Sequence, residues 1–492
     1  MLDSKYELHD ISAPPSQRRQ SLGSGGESGC SLLYGDSKDR SVEERALVWK
    51  IDLHIIPLVC IIDFLQFLDK SAINYAALMG LKEDIGLTPN QYDVIASLFY
   101  LGYFCYQIPN NYCLQYVRIG RYMGILLIVW GSILAATAAC KTYSQLAAMR
   151  FLLGFAEAGI YPSLILLIST MYRRAEQTWR LGIFWLCNGF ALAIGGLIGY
   201  GAGHLNGGGL HAWQWFMIIL GGVTVLVGIF TYFFLIDDPR SLRWHHNAEE
   251  QIMVDERIRD NAVVRTSHVK YDQIWEALKE SRFWCFCLIS FLANMQNGAL
   301  TNYSAQITES FGYQDLDAIL LQIPTGVADI IYICVAAWVT TKTGQTIYVG
   351  CACLIGTGTG LLLLEFIPLQ KAKLAGLYLC WGYAAAYVML VATTTANVSG
   401  YTKKIFYNGM SMIFYTIGNF VGPFLMNMTE DGAPVNGLLG YVIADFLAVA
   451  LFLFTRWQMH QINEKRLREP SVSCNEEDDI TDAQDPNFIY RL

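Results

Sequence analysis

The sequence predicts an all-α membrane protein with twelve transmembrane helices in two six-helix bundles. The chain of 492 residues is 53% hydrophobic and only 15% charged, a composition too apolar for an ordinary soluble protein. Its charges concentrate in the two terminal segments and in one central segment. The rest contains repeated apolar runs of about 20 residues, the length of helix that crosses a hydrocarbon layer of about 30 Å.

Twelve apolar segments follow one another along the chain, and each is a predicted transmembrane helix. They lie near residues 53–77, 91–113, 121–140, 146–171, 179–203, 212–236, 283–308, 318–341, 345–366, 373–397, 406–428 and 436–458. A polar connection divides them six and six. We therefore expect a disordered N-terminal tail at 1–50, a six-helix bundle at 51–236, a central loop at 237–282, a second bundle at 283–459 and an acidic tail without a fold at 460–492.

The positions of lysine and arginine between the spans predict the orientation of the chain. With the N-terminus inside, the inner loops carry 16 basic residues, whereas the outer loops carry only four, Lys82, Lys141, Lys371 and Lys373. Short cytosolic loops of membrane proteins are enriched in basic residues. We expect both termini and the central loop to be cytosolic.

A faint internal repeat relates the two halves at an offset of 224 residues. Residues 117–121, after the second span, correspond to residues 341–345, after the eighth. The same offset takes Arg180, which opens the fifth span, to Lys404, which opens the eleventh. Parallel six-helix repeats are the architecture of one large class of secondary transporter.

Several other functions are disfavoured by what the sequence lacks. There is no G-x-x-x-x-G-K-[ST] motif, so ATP-driven pumping is not expected. Most of the 13 cysteines lie in apolar runs without a C-x-x-C pair, and no histidine pair stands at ligand spacing inside a span, so we expect no metal, no cofactor and no enzyme activity. The nearly neutral membrane body offers no basic face for nucleic acid.

Ionisable residues inside the spans are the strongest functional candidates, because a charge in hydrocarbon is costly. In the first span, Asp63, Gln66 and Lys70 share one stripe at positions i, i+3 and i+7, and Asp69 lies beside it. Lys70 is the best candidate for attracting a carboxylate, with snorkelling towards an interface as the alternative. Asp63 and Asp69 are candidates for proton coupling or gating.

The fourth and eighth spans supply three more candidates for proton coupling or gating. Arg150 and Glu157 are two turns apart on one face, separated by about 10 Å of helical rise, so they need not pair with each other. A structural charge network explains these two as well as substrate or proton chemistry does. Asp329 shares a face of the eighth span with Gln322.

Polar stripes of the same spacing recur in the seventh and eleventh spans. Together with the first and eighth spans they supply the candidate substrate-binding residues Lys70, Gln66, Asn294, Asn297, Gln322, Tyr415 and Asn419. Polar stripes also hold membrane helices together, and for any single Ser, Thr or Asn this packing role carries about twice the weight of ligand contact.

Four motifs resemble those of a known family. Residues 108–110 (IPN) leading to 118–121 (RIGR) resemble a short cytosolic loop motif, with Val117 where an acid is expected. Residues 150–162 (RFLLGFAEAGIYP) are similar to a fourth-helix motif, and 67–71 (FLDKS) to a first-helix signature. Residues 418–424 (GNFVGPF) are similar to the eleventh helix. On these motifs, the body of the chain from about residue 48 to 460 resembles the major facilitator superfamily and, within it, the fungal allantoate permease (anion:cation symporter) family.

The resemblance implies a major facilitator fold and a monomeric plasma-membrane symporter that moves an organic anion with protons across the lipid bilayer. The anion would be a carboxylate such as allantoate, nicotinate or a vitamin-like acid. Arg118, Gly120 and Arg121 would form the cytosolic loop motif. An exporter of a specialised metabolite is the alternative, and a non-transporting nutrient sensor is less favoured because the tails are short.

Overall fold

The computed structural model describes residues 42–172, 174–205, 209–236, 250–254, 270–426, 437–468 and 480–492. We label the principal helices in chain order. They are α1 (Val42–Ala76), α2 (Lys82–Ile85), α3 (Pro89–Tyr116), α4 (Ile119–Thr137), α5 (Tyr143–Glu157), α6 (Ile160–Met171), α7 (Arg174–Gly203), α8 (Ala212–Phe234), α9 (Tyr271–Lys279), α10 (Ser281–Ser310), α11 (Asp315–Leu320), α12 (Gln322–Thr343), α13 (Thr346–Phe366), α14 (Lys373–Leu379), α15 (Gly382–Asn397), α16 (Tyr401–Met426) and α17 (Gly437–Arg468).

The predicted all-helical membrane fold is confirmed. Within the described residues, eleven helical segments are long and apolar enough to cross a membrane, and each matches a predicted span. The remaining predicted span is α3, which is 28 residues long and carries many Tyr, Asn and Gln side chains that lower its hydropathy. Residues 1–41 of the predicted N-terminal tail lie outside the described residues, and α1 begins earlier than expected, at Val42.

Two of the spans are broken near the middle. The fourth consists of α5 and α6, separated at Ala158 and Gly159, and the tenth consists of α14 and α15, separated at Cys380 and Trp381. In the fourth span Pro162 has no N–H to donate to the carbonyl group of Ala158, which weakens the helix at this point. The two breaks occupy nearly equivalent positions in the two halves, in agreement with the internal repeat.

Glycine allows pairs of helices to approach closely. A Cβ atom at Gly131 of α4 would lie only 2.7 Å from the carbonyl oxygen of Gly221 of α8. A Cβ atom at Gly326 of α12 would lie 2.3 Å from the carbonyl oxygen of Gly189 of α7. Such backbone contacts between small residues are a main source of association between helices in membranes. The first contact lies within the N-terminal half, whereas the second joins the two halves.

Ion pairs at one end of the bundle follow the internal repeat. Arg180 at the start of α7 donates two hydrogen bonds of 2.7 Å to the carboxylate of Asp52 in α1. In the second half, Lys403 at the start of α16 pairs with Glu276 of α9 at 2.7 Å. Glu276 lies 224 residues after Asp52, so the two acids are related by the offset of the repeat. The offset takes Arg180 to Lys404, but the neighbouring Lys403 forms the ion pair.

The C-terminal segment differs from the prediction. We expected residues 460–492 to form a tail without a fold, but α17 continues to Arg468 and residues 480–492 pack against the helices. Asp482 is fully buried. It accepts a hydrogen bond of 2.6 Å from Arg282 of α10 and lies 2.9 Å from the ammonium group of Lys403.

Side-chain amides hold the backbone at the end of this segment. Asn463 of α17 donates to the carbonyl group of Tyr490 at 2.8 Å and accepts from its N–H at 2.9 Å. Asn397 of α15 makes the same pair of bonds with Arg491, at 2.9 and 2.7 Å. The segment therefore connects α10, α15, α16 and α17. The polar composition of the segment suggested a solvated tail, since several partners of its polar groups, such as Asn397, lie far away in sequence.

We expect Asp482→Ala to lower the free energy of unfolding by about 3 kcal/mol, because it removes one partner from a buried ion cluster. Burial alone would raise the pKa of Asp482, but Arg282 and Lys403 hold it below its ordinary value. The stabilisation is therefore fully present above the ordinary carboxyl pKa of about 4, and it is lost as the pH falls through the lower value of the folded state.

Scanning fluorimetry of the detergent-solubilised protein measures this effect. The melting temperatures of the wild type and Asp482→Ala should differ at neutral pH and converge in acid. Glu464→Gln is the matched control, because Glu464 lies in exposed ion pairs with His460 and Arg468, which contribute about 0–1 kcal/mol. Equal effects of the two substitutions at neutral pH would contradict the assignment.

Candidate functional site

A cavity lies between the two halves, near the middle of the spans. Its walls come from α1, α3, α5, α6 and α7 of the first half and from α10, α12, α15 and α16 of the second. Its volume is about 80 Å³, roughly half of the apolar cavity of about 150 Å³ that admits benzene. In this conformation it holds water-sized groups and must widen to enclose an organic solute.

The polar stripe of α1 faces this cavity. Asp63, Gln66 and Lys70 all line it, and Lys70 is buried, with 8% of its surface exposed, so it does not snorkel to an interface. The ammonium group lies 5.1 Å from the ring centroid of Tyr100 and 5.8 Å from that of Phe67. In the described part of the chain no carboxylate oxygen lies within 4 Å of it, and the two aromatic rings are among the groups that stabilise its charge.

Asp69 belongs to a different face of α1. It is fully buried but is not among the residues that line the cavity. Its Oδ2 atom accepts a hydrogen bond of 2.9 Å from Thr224 of α8. This contact holds α1 against α8 within the first half, so the geometry gives Asp69 a packing partner rather than access to a solute.

Arg150 and Glu157 do not pair with each other. Glu157 lines the cavity, is 1% exposed, and its Oε2 atom has no hydrogen-bond partner within the described residues. It is also the last residue of α5, beside the helix break. Arg150 is buried outside the cavity lining, with its guanidinium carbon 5.2 Å from the ring centroid of Phe99. The side chains of Arg150 and Glu157 therefore stay apart, as the helical rise between them predicts.

Amide and hydroxyl groups form the opposite wall. Asn297 of α10 accepts hydrogen bonds from Tyr383 at 2.9 Å and from Thr301 at 3.1 Å, and it donates to the hydroxyl oxygen of Tyr415 at 3.3 Å. Asn294, one turn away, lines the cavity and donates to the carbonyl oxygen of its own helix at Ser290. Three predicted residues, Asn294, Asn297 and Tyr415, thus meet at one surface.

Two predicted residues of the second half lie away from the cavity. Gln322 is fully buried and donates to the hydroxyl oxygen of Thr308 in α10 at 3.2 Å. Asn419 is fully buried and donates to the carbonyl oxygen of Tyr415 within α16 at 2.8 Å. Both belong to polar stripes that are longer than the cavity, and neither is among the residues that line it.

Asp329 of α12 is the acid of the second half that lines the cavity. Its side chain is 2% exposed, and its Oδ1 atom has no hydrogen-bond partner among the described residues. Its Oδ2 atom would lie 3.2 Å from a Cβ atom added at Gly189 of α7. The close contact between α7 and α12 therefore brings Asp329 to the boundary between the two halves.

Aromatic side chains cover much of the cavity, and among them only Tyr415 was a predicted substrate-binding residue. The others are Phe67, Phe99, Tyr100, Tyr103, Tyr161, Phe184, Trp185, Trp381, Tyr383 and Tyr387. Trp185 of α7 and Tyr387 of α15 meet across the two halves, with ring centroids 5.7 Å apart in an edge-to-face arrangement. An aromatic content of 13% was the available signal, but it does not distinguish cavity rings from interfacial ones.

Hydrogen bonds between the halves close the cavity at the end where Lys82 lies, which we call the Lys82 end. They join Lys82 to Gln306, Asp93 to Tyr303, Asn74 to Ser304, and Tyr92 to the carbonyl oxygen of Asn302. The sequence patterns did not single out this set, because each bond joins residues 210 to 230 positions apart. The charge of the loops predicts that the Lys82 end faces away from the cytosol.

The loop motif lies at the opposite end. Arg118 precedes α4, and both Arg118 and Arg121 are exposed, while Gly120 is buried. Behind the loop, Tyr122 donates a hydrogen bond of 2.7 Å to Asn110 of α3. A Cβ atom at Gly159, in the break of the fourth span, would lie 2.9 Å from Asn110 Oδ1. Asn110 therefore lies between the loop motif and the helix break next to Glu157.

Comparisons with known proteins agree with this architecture. A family model described as Major Facilitator Superfamily matches residues 59–425. The thiamine pathway transporter THI73 of Saccharomyces cerevisiae is 30% identical over 448 residues, covering 90% of this chain and 85% of that protein. The allantoate permease of the same yeast is 28% identical over 481 residues, covering 92% of this chain and 87% of that protein.

A solved structure has the same fold. It is a bacterial homologue of the human lysosomal transporter Spinster, crystallised in an inward-facing and unoccupied conformation. It superposes with a TM-score of 0.65 at 14% sequence identity, covering 82% of this chain and 96% of that chain.

We expect Gly326→Ala to reduce the melting temperature of the solubilised protein, because the new methyl group would meet the backbone of α7 at Gly189 and Ala193. Overpacking of this kind costs about 1–3 kcal/mol. Gly222→Ala is the matched control, since a Cβ atom at that helical glycine meets nothing within 4 Å. A Gly326→Ala protein as stable as the control would show that the α7–α12 contact is not tight.

Proposed function

Because this chain belongs to the major facilitator superfamily and is a secondary transporter, we propose that it is a symporter of a small organic anion and protons. The two halves would rock about the central cavity and expose it to each side of the membrane in turn. The observation that carries the proposal is Lys70, a buried cation at the cavity wall without an acid within ion-pair distance in the described part of the chain.

Lys70 supports the binding of a carboxylate. An ammonium group buried inside a membrane protein is costly unless it has a partner. The rings of Tyr100 and Phe67 supply a part of the missing stabilisation. A carboxylate of the substrate would supply the rest, through a charge-assisted hydrogen bond that contributes about 1.5–3 kcal/mol.

Glu157 supports proton coupling. It lies at the same cavity, and the positive charges of Lys70 and Arg150 are near enough to attract its carboxylate. Its oxygen without a hydrogen-bond partner and its place at the negative end of the α5 dipole both disfavour a buried carboxylate. Protonation removes that cost, so Glu157 is the acid that we assign to the proton.

The two sites would be linked by charge. A substrate anion bound at Lys70 adds negative charge near Glu157 and thereby favours its protonated form. By thermodynamic reciprocity, protonation of Glu157 favours binding of the anion by the same factor. The loaded cavity would then carry less unbalanced charge than the cavity holding either ligand alone, which favours the movement of anion and proton together.

Uptake by yeast cells that express the protein tests this function. We expect at least one of labelled nicotinate, allantoate and pantothenate to accumulate, and to do so faster at acidic than at neutral pH. Lys70→Met should raise the half-saturation concentration of that substrate by about tenfold or more, the equivalent of 1.4 kcal/mol.

Lys371→Met is the control for this substitution, because Lys371 is exposed in the 3-10 turn Gln370–Ala372, outside the cavity, and its ammonium group lies 5.8 Å from the ring centroid of Tyr313. Its uptake should equal that of the wild type. Accumulation that is independent of pH and unchanged in Lys70→Met would contradict the proposal. Concentration of the substrate outside the cells would favour the exporter instead.

We expect Glu157→Gln to abolish proton-driven accumulation while retaining counterflow exchange, because glutamine resembles the protonated acid but cannot release a proton. Asp445→Asn is the matched control, since Asp445 is a buried acid outside the cavity that accepts a hydrogen bond of 2.6 Å from Gln296. Proteoliposomes with an imposed pH gradient separate the two modes. Retained accumulation in Glu157→Gln would remove the proton role of Glu157.

A further inference from the structure

The acids of the cavity outnumber its bases. Asp63, Glu157 and Asp329 line it, whereas Lys70 is the single lysine or arginine among its described lining residues. Asp63 and Glu157 belong to the first half, as Lys70 and Arg150 do. Asp329 belongs to the second half and faces them from α12. An anion held at Lys70 would thus meet an additional carboxyl group on the opposite wall.

The surroundings of Asp329 provide no cation. No Lys, Arg or His nitrogen of the described residues lies within 4 Å of its carboxyl group, and its Oδ1 atom has no hydrogen-bond partner among them. Its Oδ2 atom lies at the close contact with Gly189, so packing holds the carboxyl group at the boundary of the two halves.

Aromatic rings occupy the cavity wall around Lys70 and Asp329, which we call the two poles of the cavity. Tyr100 stacks beneath Lys70, and Tyr383 of α15 lies within the electrostatic field of Asp329. Trp185 and Tyr387 meet across the halves. Such faces bind the flat apolar part of a solute, and they also attract a cationic nitrogen.

We propose that Asp329 binds a protonated or N–H-bearing nitrogen of the substrate, so that the site takes a small ring-bearing ampholyte with its carboxylate at Lys70 and its nitrogen at Asp329. This inference rests on the proposed function, because it requires the carboxylate at Lys70. It gives a role to Asp329, a buried acid whose negative charge would repel a substrate that carries only an anionic group. It also uses both halves of the protein for one ligand, which would draw them together around it.

Three commercial compounds on the same ring test the inference with the purified full-length protein in detergent. Benzoate carries only the anion, benzylamine only the cation, and 4-(aminomethyl)benzoate both. We expect 4-(aminomethyl)benzoate to bind at least tenfold tighter than either benzoate or benzylamine in calorimetric titration. Equal affinities of benzoate and 4-(aminomethyl)benzoate would overturn the inference and leave the anion site intact.

Substitutions assign the two poles. Asp329→Asn should remove the tenfold advantage of 4-(aminomethyl)benzoate without weakening benzoate, whereas Lys70→Met should weaken both carboxylates. Asp445→Asn is the control for loss of a buried acid. The comparison of the three compounds uses only the wild type, so it does not depend on whether a variant folds. Equal weakening of both carboxylates by Asp329→Asn would overturn the inference. Binding of neither carboxylate to the wild type would overturn the proposed function together with it.

Discussion

The structure depends on the high cost of leaving a polar group unpaired in hydrocarbon. This cost explains why all the spanning segments are helices, which satisfy their own backbone groups. It also agrees with the pairing of buried charges at the end opposite Lys82, such as Arg180 with Asp52. Three exceptions lie at the central cavity. Lys70, Glu157 and Asp329 are buried there without ion-pair partners among the described residues. In the function that we propose, a transported solute and a proton would supply the missing partners.

Close helix contacts turn separate polar stripes into one site. Gly189 and Gly326 bring α7 and α12 together, which sets Asp329 opposite the wall that carries Lys70. Hydrogen bonds such as Asn74 to Ser304 close the Lys82 end. Contacts of this kind between two halves can be broken and remade as a group, whereas those inside each half, such as Gly131 with Gly221, can persist. That division of contacts suits the rocking of two rigid bundles.

The sequence predicted a part of this site. Helical spacing correctly grouped Asp63, Gln66 and Lys70, since residues at i, i+3 and i+7 share a face whatever the partner helix is. Spacing could not separate Asn297, which reaches the cavity, from Asn419, which bonds inside its own helix. A polar stripe runs along a whole span, but the cavity occupies only its middle. Apart from Tyr415, the aromatic residues of the cavity escaped the prediction, because a ring that faces a solute, a lipid or another helix has the same sequence pattern.

The sequence by itself determined the number, approximate positions and expected orientation of the spans, because hydrocarbon thickness and the distribution of basic residues act on each segment locally. It also determined the repeat at an offset of 224 residues between the two halves. The ion pairs of Arg180 with Asp52 and of Lys403 with Glu276 lie at corresponding places in that repeat. Only the tertiary structure decided which buried charges remain unpaired, which rings surround them, and that residues 480–492 pack against the helices. These outcomes depend on partners up to about 200 residues away, whose distance and direction no local pattern specifies.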